Sequence, residues 1–196
     1  MRSPVIEHLV QEHLHIQHCL DAVDTFTTLV ERVGHESETV DRHELCPFLD
    51  YLVEVLMLRH EEKEETVLLP ELQHLGFAWA DGPLAHVRRD HRQGRYLVSA
   101  LRQATHQRCA WNADDLRHFV ALSREWLAFN RRHMQLEETV LFPVAAIRIH
   151  PVLQETMTAR FVAIDHEVDE LPDAQRLTRE GRLFLERLSP GMAAAC

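Results

Sequence analysis

The sequence predicts an all-α protein, an up-down-up-down four-helix bundle with additional C-terminal helices. Three features predict it. Long stretches of the 196 residues place apolar side chains three and four positions apart, and none sustains the alternation of a half-buried strand. Glycine and proline are sparse and gather mainly at Gly34, at Gly76 to Pro83, at Pro143 to Pro151 and at Pro172, leaving helix-length segments between them. The segment His60-Glu61-Glu62-Lys63-Glu64-Glu65-Thr66-Val67-Leu68-Leu69-Pro70 also returns as His133-Met134-Gln135-Leu136-Glu137-Glu138-Thr139-Val140-Leu141-Phe142-Pro143, so the chain carries two copies of one helical unit.

The first helix is expected from about Pro4 to Val33, with the seam Ile6, Leu9, His13, Ile16, Leu20, Val23, Thr27, Val30 turned to a partner. His8, His15 and His18 rotate well off that seam and are expected to face solvent. The second helix, about Asp41 to Leu69, gives Cys46, Leu49, Val53, Met57, His60, Glu64, Val67, widened by Leu45, Leu52, Leu56 and Leu68. The third, about Pro83 to Gln107, gives Leu84, Val87, His91, Gly94, Val98, Leu101, Thr105. The fourth, about Ala113 to Phe142, gives Leu116, Phe119, Ser123, Trp126, Asn130, His133, Glu137, Val140, and each repeat copy is expected to stop at its proline. Shorter helices are expected near residues 152–170 and 173–188. The division is thus a bundle over residues 1–148 and a helical extension over 149–196 packed on it.

One histidine interrupts each apolar stripe. His13 and His91 lie eight or nine residues after the starts of their helices, and His60 and His133 about nine before the ends of theirs. In an antiparallel bundle these positions share one level, roughly 13 Å from the same end at 1.5 Å per residue. Residues four apart on a helix share a face, so His60 with Glu64, and His133 with Glu137, aim at that same point. A single histidine on an apolar face is usually a hydrogen-bonded core residue; four at one height with two carboxylates are not explained that way. Left unpaired, such buried charge costs several kcal/mol per group, and a cation removes the conflict. Imidazole and carboxylate donors without thiolate suit iron first, then manganese or zinc. Glu-x-x-His, the ligand spacing of ferritin-like bundles, occurs as Glu12 to His15 and Glu71 to His74, but the first pair points off the seam and the second lies beyond Pro70.

In residues and order, the chain resembles the hemerythrin-like, or HHE cation-binding, family over about residues 5 to 145. Glu12-His13-Leu14-His15-Ile16 is similar to its first-helix signature, Asp90-His91-Arg92-Gln93-Gly94-Arg95 to its third, and the two His-x-x-x-Glu-Glu segments to its second and fourth. The resemblance implies a bundle of hemerythrin type in which His13, His60, His91 and His133 are terminal ligands of two iron ions (Fe2+/Fe3+), Glu64 and Glu137 bridge them, and an oxo or hydroxo group completes the bridge. Many members have a second ligating histidine after the first on helix two; Glu61 stands there and is expected as a seventh ligand. That set supplies about eleven of the twelve positions of two octahedral ions, leaving one for a small ligand.

The implied function is a non-heme diiron protein that binds oxygen or nitric oxide, or senses or handles iron. The alternative is a diiron enzyme with catalase-like or oxidase activity. The helix-four carboxylate is a glutamate four residues after His133, where oxygen carriers place an aspartate five residues on. Their second third-helix histidine has no counterpart either, since His86 and His91 are five apart. Sensing, iron handling or peroxide chemistry is therefore favoured over reversible oxygen transport. Ser123 and Asn130 interrupt the fourth stripe on the site side, as donors to a ligand or as interhelix hydrogen bonds, and Gly94 leaves room for the cage or for close packing.

The formal charge of -10 argues against a nucleic-acid surface. No stretch approaches a membrane span, and Met1 to His8 is too polar for a signal peptide. Cys19, Cys46, Cys109 and Cys196 are scattered, which fits reduced thiols and a cytoplasmic location. Expected partners are a small diatomic ligand or peroxide and a redox or signalling protein, with the chain as monomer or homodimer.

Overall fold

The computed structural model describes residues 3–34, 45–106 and 111–188. Among these there is no strand. The expected start of the second helix near Asp41, the end of the third at Gln107, and His35, His43, Cys109 and Cys196 lie outside the described residues.

Four long helices form the bundle: α1 (Pro4–Val33), α2 (residues 45–74), α3 (Pro83–His106) and α4 (residues 113–148). Ser3 caps α1 with Pro4 in its first turn, and Gly34 closes it at φ 76°. Asn112 and Asp115 form a capping box at the start of α4, Asn112 Oδ1 accepting from the amides of Asp114 and Asp115 at 2.8 and 3.0 Å. α1 packs against α2 and α4, and α3 against the same two, so α1 and α3 are diagonal. The seam residues expected of α1 and α3 are all buried. Gly94 lies under the Phe129 ring, where a Cβ would come within 3.3 Å, so its lack of a side chain serves the packing of α3 on α4.

The two repeat copies differ from expectation in one way. Neither stops at its proline: α2 runs on past Pro70 to His74, and α4 past Pro143 to Arg148. Each instead widens into a π turn just before the proline, Glu64–Leu68 in one copy and Glu137–Leu141 in the other, closed by Leu69 N–H to the Glu64 carbonyl and Phe142 N–H to the Glu137 carbonyl. The threonine hydroxyls donate back to the carbonyls four residues earlier, Thr66 to Glu62 at 2.7 Å and Thr139 to Gln135 at 2.6 Å. A proline inside an α-helix clashes with the carbonyl four residues before it, and a wider turn gives the ring room. The extra residue shifts the register by one. Leu68 and Leu141 are buried where an uninterrupted helix would bury Val67 and Val140, and Val140 is 41% exposed. α2 has a further π turn at Leu52–Met57.

Two helices follow, α5 (Pro151–Asp169) and α6 (Ala174–Leu188), close to the expected spans. Both pack on the α1/α2 side of the bundle. Phe184 of α6 stacks on Phe48 at 4.3 Å, and Gly181 lies so close on the Tyr51 ring that a Cβ could not fit. The apolar core is split in two. One cluster, around Leu9, Leu69, Leu84, Phe142 and Phe161, fills the end where α5 starts, and the other, around Leu20, Phe26, Leu49, Leu101, Phe119 and Trp126, fills the opposite end. Between them lies a buried polar layer of His13, His60, Glu64, His91, His133 and Glu137.

Candidate metal centre

The polar layer is built by four helices with a two-fold pattern. His13 and His91 come from the third turns of α1 and α3, and the two His-x-x-x-Glu pairs from α2 and α4, where the π turns begin at Glu64 and Glu137 themselves. His13 Nε2 stands 3.3 Å from Glu137 Oε2, and His91 Nε2 stands 3.1 Å from Glu64 Oε2. Within each copy, His60 Nε2 is 3.6 Å from Glu64 Oε1 and His133 Nε2 is 3.2 Å from Glu137 Oε1. Glu64 and Glu137 are fully buried and shared by two groups of converging donors, His13, His60, Glu64 and Glu137 in one and Glu64, His91, His133 and Glu137 in the other. In each group the donor atoms lie within 4.8 Å of one another, close enough to hold a cation.

Outside this layer each imidazole turns its Nδ1 to a carboxylate from the neighbouring helix. Glu12 of α1 meets His60 at 3.0 Å, Glu65 of α2 meets His91 at 2.8 Å, Asp90 of α3 faces His133 at 3.6 Å, and Glu138 of α4 meets His13 at 2.9 Å. The ring of carboxylates thus closes around the bundle, each helix orienting the histidine of the next. At His13, His60 and His91 the Nδ1 is engaged by its carboxylate, which turns Nε2 inward, while Asp90 faces His133 Nδ1 without a hydrogen bond.

That array does not stand easily by itself. None of the four oxygens of Glu64 and Glu137 accepts a well-formed hydrogen bond, and all are buried. The Nε2 atoms of His13 and His60 are 3.0 Å apart, two lone pairs facing each other unless a proton or cation lies between. Burial pushes the Glu137 carboxyl up, and the adjacent Glu64 carboxylate adds to the rise against His133, His60 and His91. Glu64, under the same burial, is held down by His60, His91 and His13. Burial opposes a charge on His91, but Glu64, Glu65 and Glu61 outweigh it and hold the imidazolium well above its usual range. Buried orphan oxygens facing imidazole nitrogens, with no thiolate among them, are what a cation with nitrogen and oxygen ligands requires.

Glu61 stands apart from both groups. It is buried, but its Oε2 accepts from the Arg95 guanidinium, and its nearest converging donors are Glu65 and His91. Burial pushes its carboxyl up despite His91, Arg95 and His60. A cleft of about 250 Å³ opens there, lined in part by Glu61, Glu62, Glu65 and Arg95.

Several polar residues behave otherwise than expected. Glu65 and Glu138, to which the helical seams assign no role, each accept from a histidine of the centre. His8 and His15 are half-buried rather than solvent-facing: His8 meets Lys63 at 2.9 Å and His15 meets the Tyr51 hydroxyl at 2.9 Å. Asn130 spends its amide on the Trp126 carbonyl at 2.8 Å, within its own helix. Lys63, inside the first repeat copy, is fully buried. The signals that could have found the orienting carboxylates are their positions, directly before His13 and His91 and directly after Glu64 and Glu137.

The fold and the polar layer define a helical bundle with a buried histidine and carboxylate centre able to take cations. The chain belongs to the family described as the Hemerythrin HHE cation binding domain, whose model matches residues 4–145. Comparison with curated proteins and with solved structures gave no match.

Proposed function

We propose that this chain is a diiron protein of the hemerythrin type that binds a small ligand, oxygen or nitric oxide, or that senses or handles iron. The observation that carries the reading is the set of four orphaned carboxylate oxygens of Glu64 and Glu137, buried and faced by four oriented imidazoles. His13, His60, Glu64 and Glu137 would hold one ion, and Glu64, His91, His133 and Glu137 the other, with both carboxylates shared. Glu61 joins the set as a seventh ligand only on leaving Arg95. Iron held by these residues would supply two neighbouring oxidation states to a small ligand.

The chain's own residues do the rest. Glu12, Glu65 and Glu138 fix the tautomers and planes of His60, His91 and His13, which keeps Nε2 inward and raises its basicity, and Asp90 faces His133 at 3.6 Å. The apolar clusters above and below exclude water, and the Phe142 ring stacked on His13 at 5.2 Å closes that side. The cleft lined by Glu61, Glu65 and Arg95 is the approach we assign to a small ligand. We divide the chain into a bundle that carries the centre and an extension from residue 149, whose described part, 149–188, packs on the bundle. No described helix is long and apolar enough to cross a membrane.

The test is to reduce the iron-loaded protein without air and then add oxygen, nitric oxide or peroxide while following the visible spectrum. A stable, reversible ligand band is expected. Sustained consumption of peroxide or oxygen without a stable band would replace the binding reading with the enzymatic one.

A further inference from the structure

Lys63 lies one residue before Glu64 in the first repeat copy, and its side chain is fully buried. Its ammonium is met by Glu12 Oε1 of α1, by His8 Nε2 at 2.9 Å and by Asp165 Oδ1 of α5 at 2.5 Å. His8, Glu12 and Asp165 would themselves be close enough to hold a cation, and the Lys63 ammonium is seated among them. The other oxygen of Glu12, Oε2, accepts Nδ1–H of His60 at 3.0 Å. A continuous set of contacts therefore runs from α5 through Lys63 and Glu12 to an imidazole of the centre.

The second copy lacks this arrangement. Leu136 stands where Lys63 does, and Asp90, the counterpart of Glu12, is 3.6 Å from His133 Nδ1, which is buried without a hydrogen-bond partner. The same imidazole is thus fixed in one copy and loosely held in the other. A buried ammonium needs carboxylate on more than one side to offset its desolvation. With Asp165 neutral, Glu12 would be the one carboxylate left to Lys63 beside His8, and Glu12 could no longer divide its two oxygens between lysine and histidine.

We propose that Asp165 is a positioning residue for His60, acting through Lys63 and Glu12, so that the extension helix α5 is a working part of the centre. Asp165 lies beyond the matched family region, residues 4–145. The proposal rests on the cation-binding reading for its consequence, but its geometry can be read without metal.

The test compares Asp165→Asn with Asp165→Glu, and with Asp169→Asn as a control, since Asp169 ties α5 to Arg59 at 2.5 Å without touching Lys63. Asp165→Ala replaces the amide variant if that one fails to fold. In the metal-free protein, nitrogen–proton NMR should show a protected Nδ1–H on His60 that is lost in Asp165→Asn, restored in Asp165→Glu and kept in Asp169→Asn. The corresponding proton of His91, held by Glu65, should not change. An unchanged His60 proton in Asp165→Asn, or an equal loss in Asp169→Asn, overturns the proposal. In anaerobic titration with Fe2+ alone, Asp165→Asn should weaken one of two equivalents by about 10-fold or more. If the wild-type chain takes up no Fe2+, the cation reading fails on that arm, while the His60 proton still decides the positioning.

Discussion

At the scale of single residues, the centre depends on how Glu12, Glu65, Asp90 and Glu138 aim their histidines. Glu12 shows the energetic side of that role. Burial works to raise its carboxyl, but hydrogen bonds from His60 and His8 and the charge of Lys63 hold it well below the usual range of 4.5. A carboxylate whose folded value is depressed contributes stability above its unfolded value, and that contribution is lost as pH falls through the folded value. Thermal stability should therefore decline on acidification below about pH 4.5, and Glu12→Gln should flatten that limb when melting is followed by circular dichroism at stepped pH. A chain of this size loses about 2–4 °C in Tm per kcal/mol. Equal acid limbs in the two proteins would show that Glu12 is not held as described. The inner residues of the centre were legible in the sequence because one histidine broke each apolar stripe at a common height. Their outer partners were not, because helical spacing fixes the face a side chain takes but not which residue of the next helix meets it.

At the scale of elements, the repeated segment is a helix with a built-in π turn. Periodicity located both copies and their buried side. It could not show the extra residue, since a shift of one position leaves Val67 beside Leu68 and Val140 beside Leu141, all four apolar. The proline that was expected to stop each helix was the available hint of a widened turn. The widening begins at Glu64 and Glu137 and so belongs to the placement of the two shared carboxylates. Deleting Val140, the residue turned out to solvent, should leave Leu141 and Phe142 facing the core on an ordinary helix. It should also force Pro143 into a regular turn, at a cost of about 3 kcal/mol, and displace the Glu137 carboxylate. Denaturant unfolding and Fe2+ uptake would check this: lower stability with retained helicity and a weakened centre is expected, and wild-type uptake would separate the π turn from the site.

At the scale of the whole molecule, the polar layer divides the core, and the chain tolerates it because a cation can satisfy groups that no protein donor reaches. Two apolar clusters flank the layer, and α5 and α6 cover the α1/α2 side. Helices near 152–170 and 173–188 were legible from their apolar spacing. Their docking was not, because it rests on the buried Lys63 meeting Asp165 and on Gly181 meeting Tyr51, contacts between residues more than a hundred positions apart. The two repeat copies have unequal surroundings: the first is packed against α5, whereas Leu136, Val140 and Leu141 of the second line a cleft of about 310 Å³ beside the start of α3. The central claim is that Glu64 and Glu137 are shared by two cations. Its most direct measurement is anaerobic titration of the metal-free chain with Fe2+, counting bound iron for the wild type and for Glu64→Ala with Glu137→Ala. Two equivalents per wild-type chain and loss of tight uptake in the double variant are predicted; fewer than about one equivalent in the wild type, or unchanged uptake in the variant, would contradict the account.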